Sequence, residues 1–270
     1  MTQDLVNYYR HMPIDIFTDT SSHTIVKPTG DISIASYGFT ALYGFVPINT
    51  SINISICETV PSGEAKAIDN AINWLKWYCG KLLTKPVIRI FSDSMTSLEA
   101  LNNILNFYLL KKNGNAEIQL PVDMRSSFNM AISVAALNMI NSGFTFQTYY
   151  VPGHMDVFNK QKFDSKYKMF IKKFKNNNRK LQYAYGYSDL AYYEFLYYIG
   201  IYNNHIDVTT RNYMFQFLPF INNDVEYLYQ KNVFTERNGK RIFPKQPIPW
   251  PINAPVLNHP IQVLQPMLLT

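Results

Sequence analysis

Apolar positions recur along this chain with two different periods, and the change from one to the other divides it into elements. Residues 14–19, IDIFTD, form a β-favouring run in which Ile14, Ile16 and Phe17 lead into Thr18 and Asp19. Such a run reads as a buried strand. ISIASYGFTALYGF (32–45) and SINISICE (51–58) are two more, set apart by the turn-rich PTGD (28–31) and PINT (47–50). Three such strands in succession predict an antiparallel meander. From Ser62 the period changes: Ala65, Ile68, Ile72 and Leu75 follow at spacings of three and four. That is the mark of an amphipathic helix, with Ser62 as its N-cap. KPVIRIFSD (85–93) is strand again, 94–110 and 123–142 are helical, 143–154 is strand and loop, and 158–175 is a basic helix.

The order β-β-β-α-β-α-α-β-α predicts an α/β fold, with a five-stranded mixed sheet of meander plus parallel strands flanked by helices. A crossover through the helix that opens at Ser62 lays strand 86–91 parallel to strand 14–19 and beside it. KNNNRK (175–180) is a polar, basic break and marks the expected boundary between a first domain, 1–175, and a C-terminal segment, 181–270. The latter begins crowded with tyrosine and phenylalanine and reads as a small helical unit. Its end carries prolines at 244, 247, 249, 251, 255, 260 and 266, a pattern for extended chain poor in regular structure. That tail offers a groove-binding segment to a protein partner, with Trp250 as anchor. The competing expectation is that it packs on its own chain.

Composition narrows the class. With 47% hydrophobic and 16% charged residues in 270, the chain has enough apolar surface for one large or two modest cores, and general disorder is excluded. A net charge of +6 favours an anionic partner. Two cysteines, Cys57 and Cys79, are too few for a disulfide scaffold, and the N-terminus has no apolar signal region. Both predict an intracellular protein that is not secreted. AYYEFLYYIGIY (191–202) is too short to span a bilayer and contains Glu194. The five histidines show no zinc spacing.

Four acids stand out by position: Asp19 near the end of the first strand, Glu64 in the first turn of the first helix, Asp93 after strand 86–91, and Asp164 in the basic helix. Ligand sites in open sheets gather at carboxyl ends of strands, and the topology brings the first three to one such edge. Clustered carboxylates raise one another's pKa unless a cation neutralises them. Mg²⁺, which takes oxygen ligands at ~2.0–2.1 Å, suits such a cluster. Each residue alone also has an ordinary role. Asp19 suits a turn cap, Glu64 suits the helix dipole, and Asp93-Ser94 suits an N-cap pair. Asp164 suits an ion pair with Lys160 or Lys168, and His154 suits a plain loop.

Taken together and in order, the first 175 or so residues resemble the type 1 ribonuclease H family. FTDTSS is similar to its first-strand Asp motif, SGEAKAIDNAI to its helix with the catalytic Glu, and IFSDSMTSLEAL to its strand-end Asp-Ser and helix. VPGHMDVFNKQKFD is similar to its His loop and last Asp, with ten residues from His154 to Asp164. The resemblance implies two Mg²⁺ ions, with Mn²⁺ as an alternative. Asp19 would bridge both, Glu64 and Asp93 would complete one site, and Asp164 would hold the other. It implies that His154 assists proton transfer or product departure, and that Thr20, Ser21, Ser94, Lys111 and Lys112 lie along the nucleic acid. The implied reaction is cleavage of the RNA strand of an RNA–DNA hybrid, leaving 3′-hydroxyl and 5′-phosphate ends.

Three departures bear on substrate. Thr20 stands where the family commonly has Gly. Thr59, Val60, Pro61 and Ser62 stand where many members carry hybrid-reading Asn residues. The basic protrusion is reduced to LLKKNGNAEIQLP (109–121). They keep two alternatives open: a nuclease of this fold acting on a DNA junction or duplex RNA, and a non-catalytic nucleic-acid-binding or assembly protein.

Overall fold

The computed structural model describes residues 12–27, 30–44, 46–82, 84–112, 136–154, 156–176 and 189–231, with short stretches between 233 and 252. β1 (Ile14–Ile25), β2 (Ile32–Tyr43) and β3 (Val46–Ile56) form the meander. α1 (Val60–Cys79) leads to β4 (Ile88–Ser92), then α2 (Met95–Lys112), and β5 (Phe146–Tyr150) leads to α3 (Lys160–Asn176). Residues 136–141 are helical, and the rest of the helix expected over 123–142 falls outside the described residues. A single helix, α4 (Asp189–Gln230), follows, then a small hairpin of β6 (Thr235–Arg237) and β7 (Lys240–Ile242), and last β8 (Ile248–Trp250).

The main sheet has six strands in the order β5-β4-β1-β2-β3-β8, one more than the sequence pattern predicts. β4 lies parallel to both β1 and β5, and the meander pairs are antiparallel. The extra strand comes from the proline-rich tail, where Ile248–Trp250 pairs antiparallel with Ile54–Ile56. Pro249 has no N–H to give, so its place on an edge strand is the one that sheet geometry allows. Trp250 is held inside the chain, its Nε1 donating to Asp224 Oδ2 at 2.8 Å and its ring 5.2 Å from Phe217.

Three boundaries differ from expectation. PINT lies within β3, and the chain reverses at Gly44, whose φ of +55° costs glycine little. β1 does not end at Asp19: its parallel partner β4 pairs with Ile14–Phe17 only, while β2 stays paired as far as Ile25. The aromatic segment, expected as a small helical unit, is one 42-residue helix that contains Pro219. Among the described residues, no helix is long and apolar enough to cross a membrane.

β1 is buried on both faces, so its apolar run is nearly continuous. Ile14 and Ile16 point to one side, where they pack with Ile68, Ile72 and Leu75 of α1 and Leu98 and Leu101 of α2. Phe17 points to the other side and packs with Phe91, Phe163 of α3, and Ile199 and Ile206 of α4. Farther along, α4 crosses β2 and β3, where Met214, Ile221 and Val225 cover Ile32, Ile34, Ile54 and Ile56. The C-terminal helix therefore covers one face of the sheet, and that face also bears the odd-numbered side chains of β1, Asp15 and Asp19 among them.

Candidate metal centre at the end of the parallel strands

Asp19 sits two residues past the last β1–β4 pair, Phe17–Phe91. β4 ends at Ser92, so Asp93 emerges beside it. Thr18 Oγ1 donates to the Phe91 carbonyl at 3.3 Å and ties the two strands together next to the site. Glu64 reaches the same place from α1. That helix is capped three residues earlier than its apolar period suggests: Thr59 Oγ1 accepts from Ser62 N at 3.4 Å. Pro61 fits the first turn, where no N–H is needed. Gly63 lets the helix close on the strand, since a Cβ there would lie 2.6 Å from Thr20 Cγ2. Asp19, Glu64 and Asp93 then each offer an oxygen within 4.8 Å of the other two.

Asp19 and Glu64 are both 5% exposed. Burial, followed by repulsion from neighbouring carboxylates, pushes each well above the usual carboxylate range. For Asp19 the neighbours are Asp93 and Asp207; for Glu64 they are Asp19 and Asp93. Burial also raises Asp93, opposed by His154 and Lys166 and reinforced by Asp207. The backbone N–H of Thr20 donates to Asp19 Oδ1 at 2.7 Å. Glu64 Oε2 is buried with no hydrogen-bond partner. Three carboxylates that each disfavour the ionisation of the others, one with a buried oxygen that has no hydrogen-bond partner, fit a hard divalent cation, which takes oxygen ligands and removes the repulsion.

The His loop closes one side. Gly153 lies against Asp93, and a Cβ there would collide with Asp93 Oδ2. Lys166 donates to the carbonyls of Gly153 and His154 at 2.7 and 2.6 Å. His154 has φ +54°, rare for a residue with a side chain. Its Nδ1 is 3.2 Å from Asp207 Oδ2, on α4.

The structure brings Asp19, Glu64 and Asp93 together with His154 beside them, and leaves Asp164 outside the group. Asp164 accepts from Lys160 Nζ at 3.1 Å, the i,i+4 pair that its place on α3 favours. Thr20 lies against the start of α1, and Ser21 continues β1 beyond it. Ser94 caps α2, its Oγ accepting from Ser97 N at 3.4 Å. Lys111 and Lys112 end α2, and their side chains lie outside the described residues. Asp207 is absent from the sequence expectations. Its trace in the chain is a polar series, Asn203, Asp207, Thr210 and Arg211, at helical spacing in an otherwise aromatic segment.

No family model and no curated protein sequence matches the chain. Similar solved structures include the protease–reverse transcriptase of prototype foamy virus, at 18% identity over 58% of this chain and 20% of that one, TM-score 0.39. The present chain thus spans about a fifth of that protein's length. Others are LC9 ribonuclease H1, a type 1 enzyme with the type 2 active-site motif (11%, 59% and 70%, TM-score 0.32), and ribonuclease H1 of Halobacterium salinarum NRC-1 (13%, 52% and 86%, TM-score 0.32). A meander feeding parallel strands, with helices on both faces, is a ribonuclease H-like fold, here extended by α4 and an edge strand.

Proposed function

We propose that this chain is a divalent-metal-dependent endonuclease that cuts the RNA strand of RNA–DNA hybrids and leaves 3′-hydroxyl and 5′-phosphate ends. The observation that carries the reading is the convergence at the strand ends of Asp19, Glu64 and Asp93, each with an oxygen within 4.8 Å of the other two. Mg²⁺ or Mn²⁺ held there would supply Lewis acidity and an activated water. Asp19 and Asp93 would hold the cation from the sheet and Glu64 would hold it from the helix. His154 stands at the rim, able to move a proton. Exposed lysines of α3, Lys160 and Lys162 among them, offer positive charge to a phosphate backbone near the site, so binding weakens with salt.

A second reading shares the chemistry and differs in substrate: cleavage of a DNA junction or duplex RNA. It is favoured by Thr59 and Pro61, which build the start of α1 where an amide-bearing reader of the hybrid groove is expected. The 2′-hydroxyl is what distinguishes RNA from DNA at such a site. The test offers labelled hybrid, duplex RNA, duplex DNA and a junction to the wild type and to Asp19→Asn, with Mg²⁺ or EDTA. Hybrid cleavage that disappears with EDTA and in the variant is the expected result. Cleavage of another substrate alone selects the second reading. Binding without cleavage defeats both.

A further inference from the structure

We propose that Asp207, on the C-terminal helix α4, is a positioning residue of this site: it holds His154 through Nδ1 and leaves Nε2 as the atom presented to substrate. The inference rests on the nuclease reading above and assigns part of that site to a segment outside the ribonuclease H-like portion.

The register of α4 along β1 places Asp207 where it can do this. Tyr198 donates to Asp15 at 3.4 Å, Tyr202 packs on Phe17 at 5.4 Å, and Asp207 follows, close enough to Asp19 and Asp93 to raise both. Ser36 Oγ fixes the helix to β2 by donating to the Thr210 carbonyl at 2.7 Å. Asp207 is 5% exposed. Its Oδ2 takes two donors: Arg211 Nη2 at 2.8 Å, one turn on, and His154 Nδ1 at 3.2 Å. Arg211 alone suffices to compensate a structural carboxylate, so the second contact calls for a different explanation.

The His154 side chain is 76% exposed. An exposed imidazole turns freely unless one nitrogen is held. Its backbone is already fixed, with φ at +54°, both neighbouring carbonyls bound by Lys166, and Gly153 pressed on Asp93. A residue kept in so rare a conformation by several contacts points to function. Asp207 removes the remaining freedom of the ring. An ionised carboxylate only accepts, so neutral His154 must carry its proton on Nδ1, and the lone pair falls on Nε2. The same negative charge steadies the imidazolium once Nε2 has taken a proton. Asp207 lies outside the group formed by Asp19, Glu64 and Asp93, and its Oδ2 is already shared by two donors, so the role assigned to it is toward His154.

Two measurements on the full chain test this. In ¹⁵N-histidine-labelled, metal-free protein at about pH 8.5, two units above the ordinary imidazole pKa, His154 is expected as the Nδ1–H tautomer. A dominant Nε2–H tautomer overturns the proposal, and this reading needs neither a variant nor a reaction. In Asp207→Ala both donors lose the Oδ2 acceptor, so neither the ring orientation nor the tautomer of His154 is held. On hybrid substrate kcat should then fall by about 10–100-fold, the usual cost of losing an orienting partner, with KM unchanged. The loss should vanish when Asp207→Ala is made in a His154→Ala background. An unchanged kcat, or an equal loss in both backgrounds, overturns the proposal, while a wild type that cleaves nothing overturns the nuclease reading and is recognisable as such.

Discussion

Asp15 and Asp19 stand on one face of one strand, four residues apart, both nearly buried at 2% and 5% exposed. Their surroundings are opposite. Asp15 faces its register partner Arg89, which donates through Nε and Nη2 at 2.5 Å each, and Tyr198 adds a hydroxyl. Burial still raises Asp15, but the guanidinium and the hydroxyl work against the rise. Asp19 has a backbone N–H at 2.7 Å, and its near charged neighbours are mostly other carboxylates. One charge is compensated from within the chain and belongs to the fold. The other has no such ion pair and sits among carboxylates with only the Arg211 charge opposing them, and the proposed function supplies a cation there.

The largest effect is expected where the internal compensation is removed. Arg89→Met leaves Asp15 buried and uncompensated, and should cost about 3–5 kcal/mol in urea unfolding. The double variant Asp15→Leu/Arg89→Met should recover most of that, because a well-packed apolar pair often replaces a buried ion pair with little loss. A single variant that costs under about 1 kcal/mol would erase the contrast between the two acids, since Asp15 would then tolerate isolation as Asp19 does.

Next in size is the response to the cation. Mg²⁺ at about 100 times its Kd should stabilise the wild type by about 2.7 kcal/mol, and EDTA should reverse this. The pH dependence of the metal-free protein has a definite sign. Asp19 and Glu64 are raised well above the ordinary carboxylate range, so the folded state binds more protons than the unfolded. Their contribution to stability is present below that range and is lost as pH rises through the raised values. The melting temperature in EDTA should therefore climb as pH is lowered from 8 towards 5. The increment from Mg²⁺ should shrink over the same interval, because protons and cation compete for the same oxygens. Thermal melts at several pH values, with and without Mg²⁺, check both trends.

How far the sequence disclosed this arrangement depended on whether the cause was local. Asp19 was legible because a carboxylate interrupts an apolar strand, and Glu64 and Asp93 because strand and helix periods place them at one edge. Asp164 is less plain: its spacing from His154 suits a further ligand and its place four positions from Lys160 suits an ion pair, and the pair is formed without deciding the other role. β8 was hidden by its prolines, which argue against a strand unless the strand is an edge. Asp207 was hidden because its meaning is purely tertiary: on its own helix it is an acid paired with Arg211, and its relation to His154 arises from packing across 53 residues of chain.

The smallest effect is also the sharpest test, because it turns on sign. Asp19→Asn keeps the shape of the side chain and removes one of several like charges from a buried cluster. In EDTA at neutral pH it should stabilise the protein by on the order of 1 kcal/mol, about 2–4 °C in melting temperature for a chain of this size. Asp15→Asn, the same substitution four residues earlier on the same face, should destabilise, because Arg89 loses its charged partner and stays buried. Adding Mg²⁺ should then raise the wild type past Asp19→Asn, whose site has lost an anionic ligand, and leave Asp15→Asn with the full increment. If both substitutions destabilise in EDTA by similar amounts, the charge of Asp19 is satisfied within the chain and the cluster has no need of a cation.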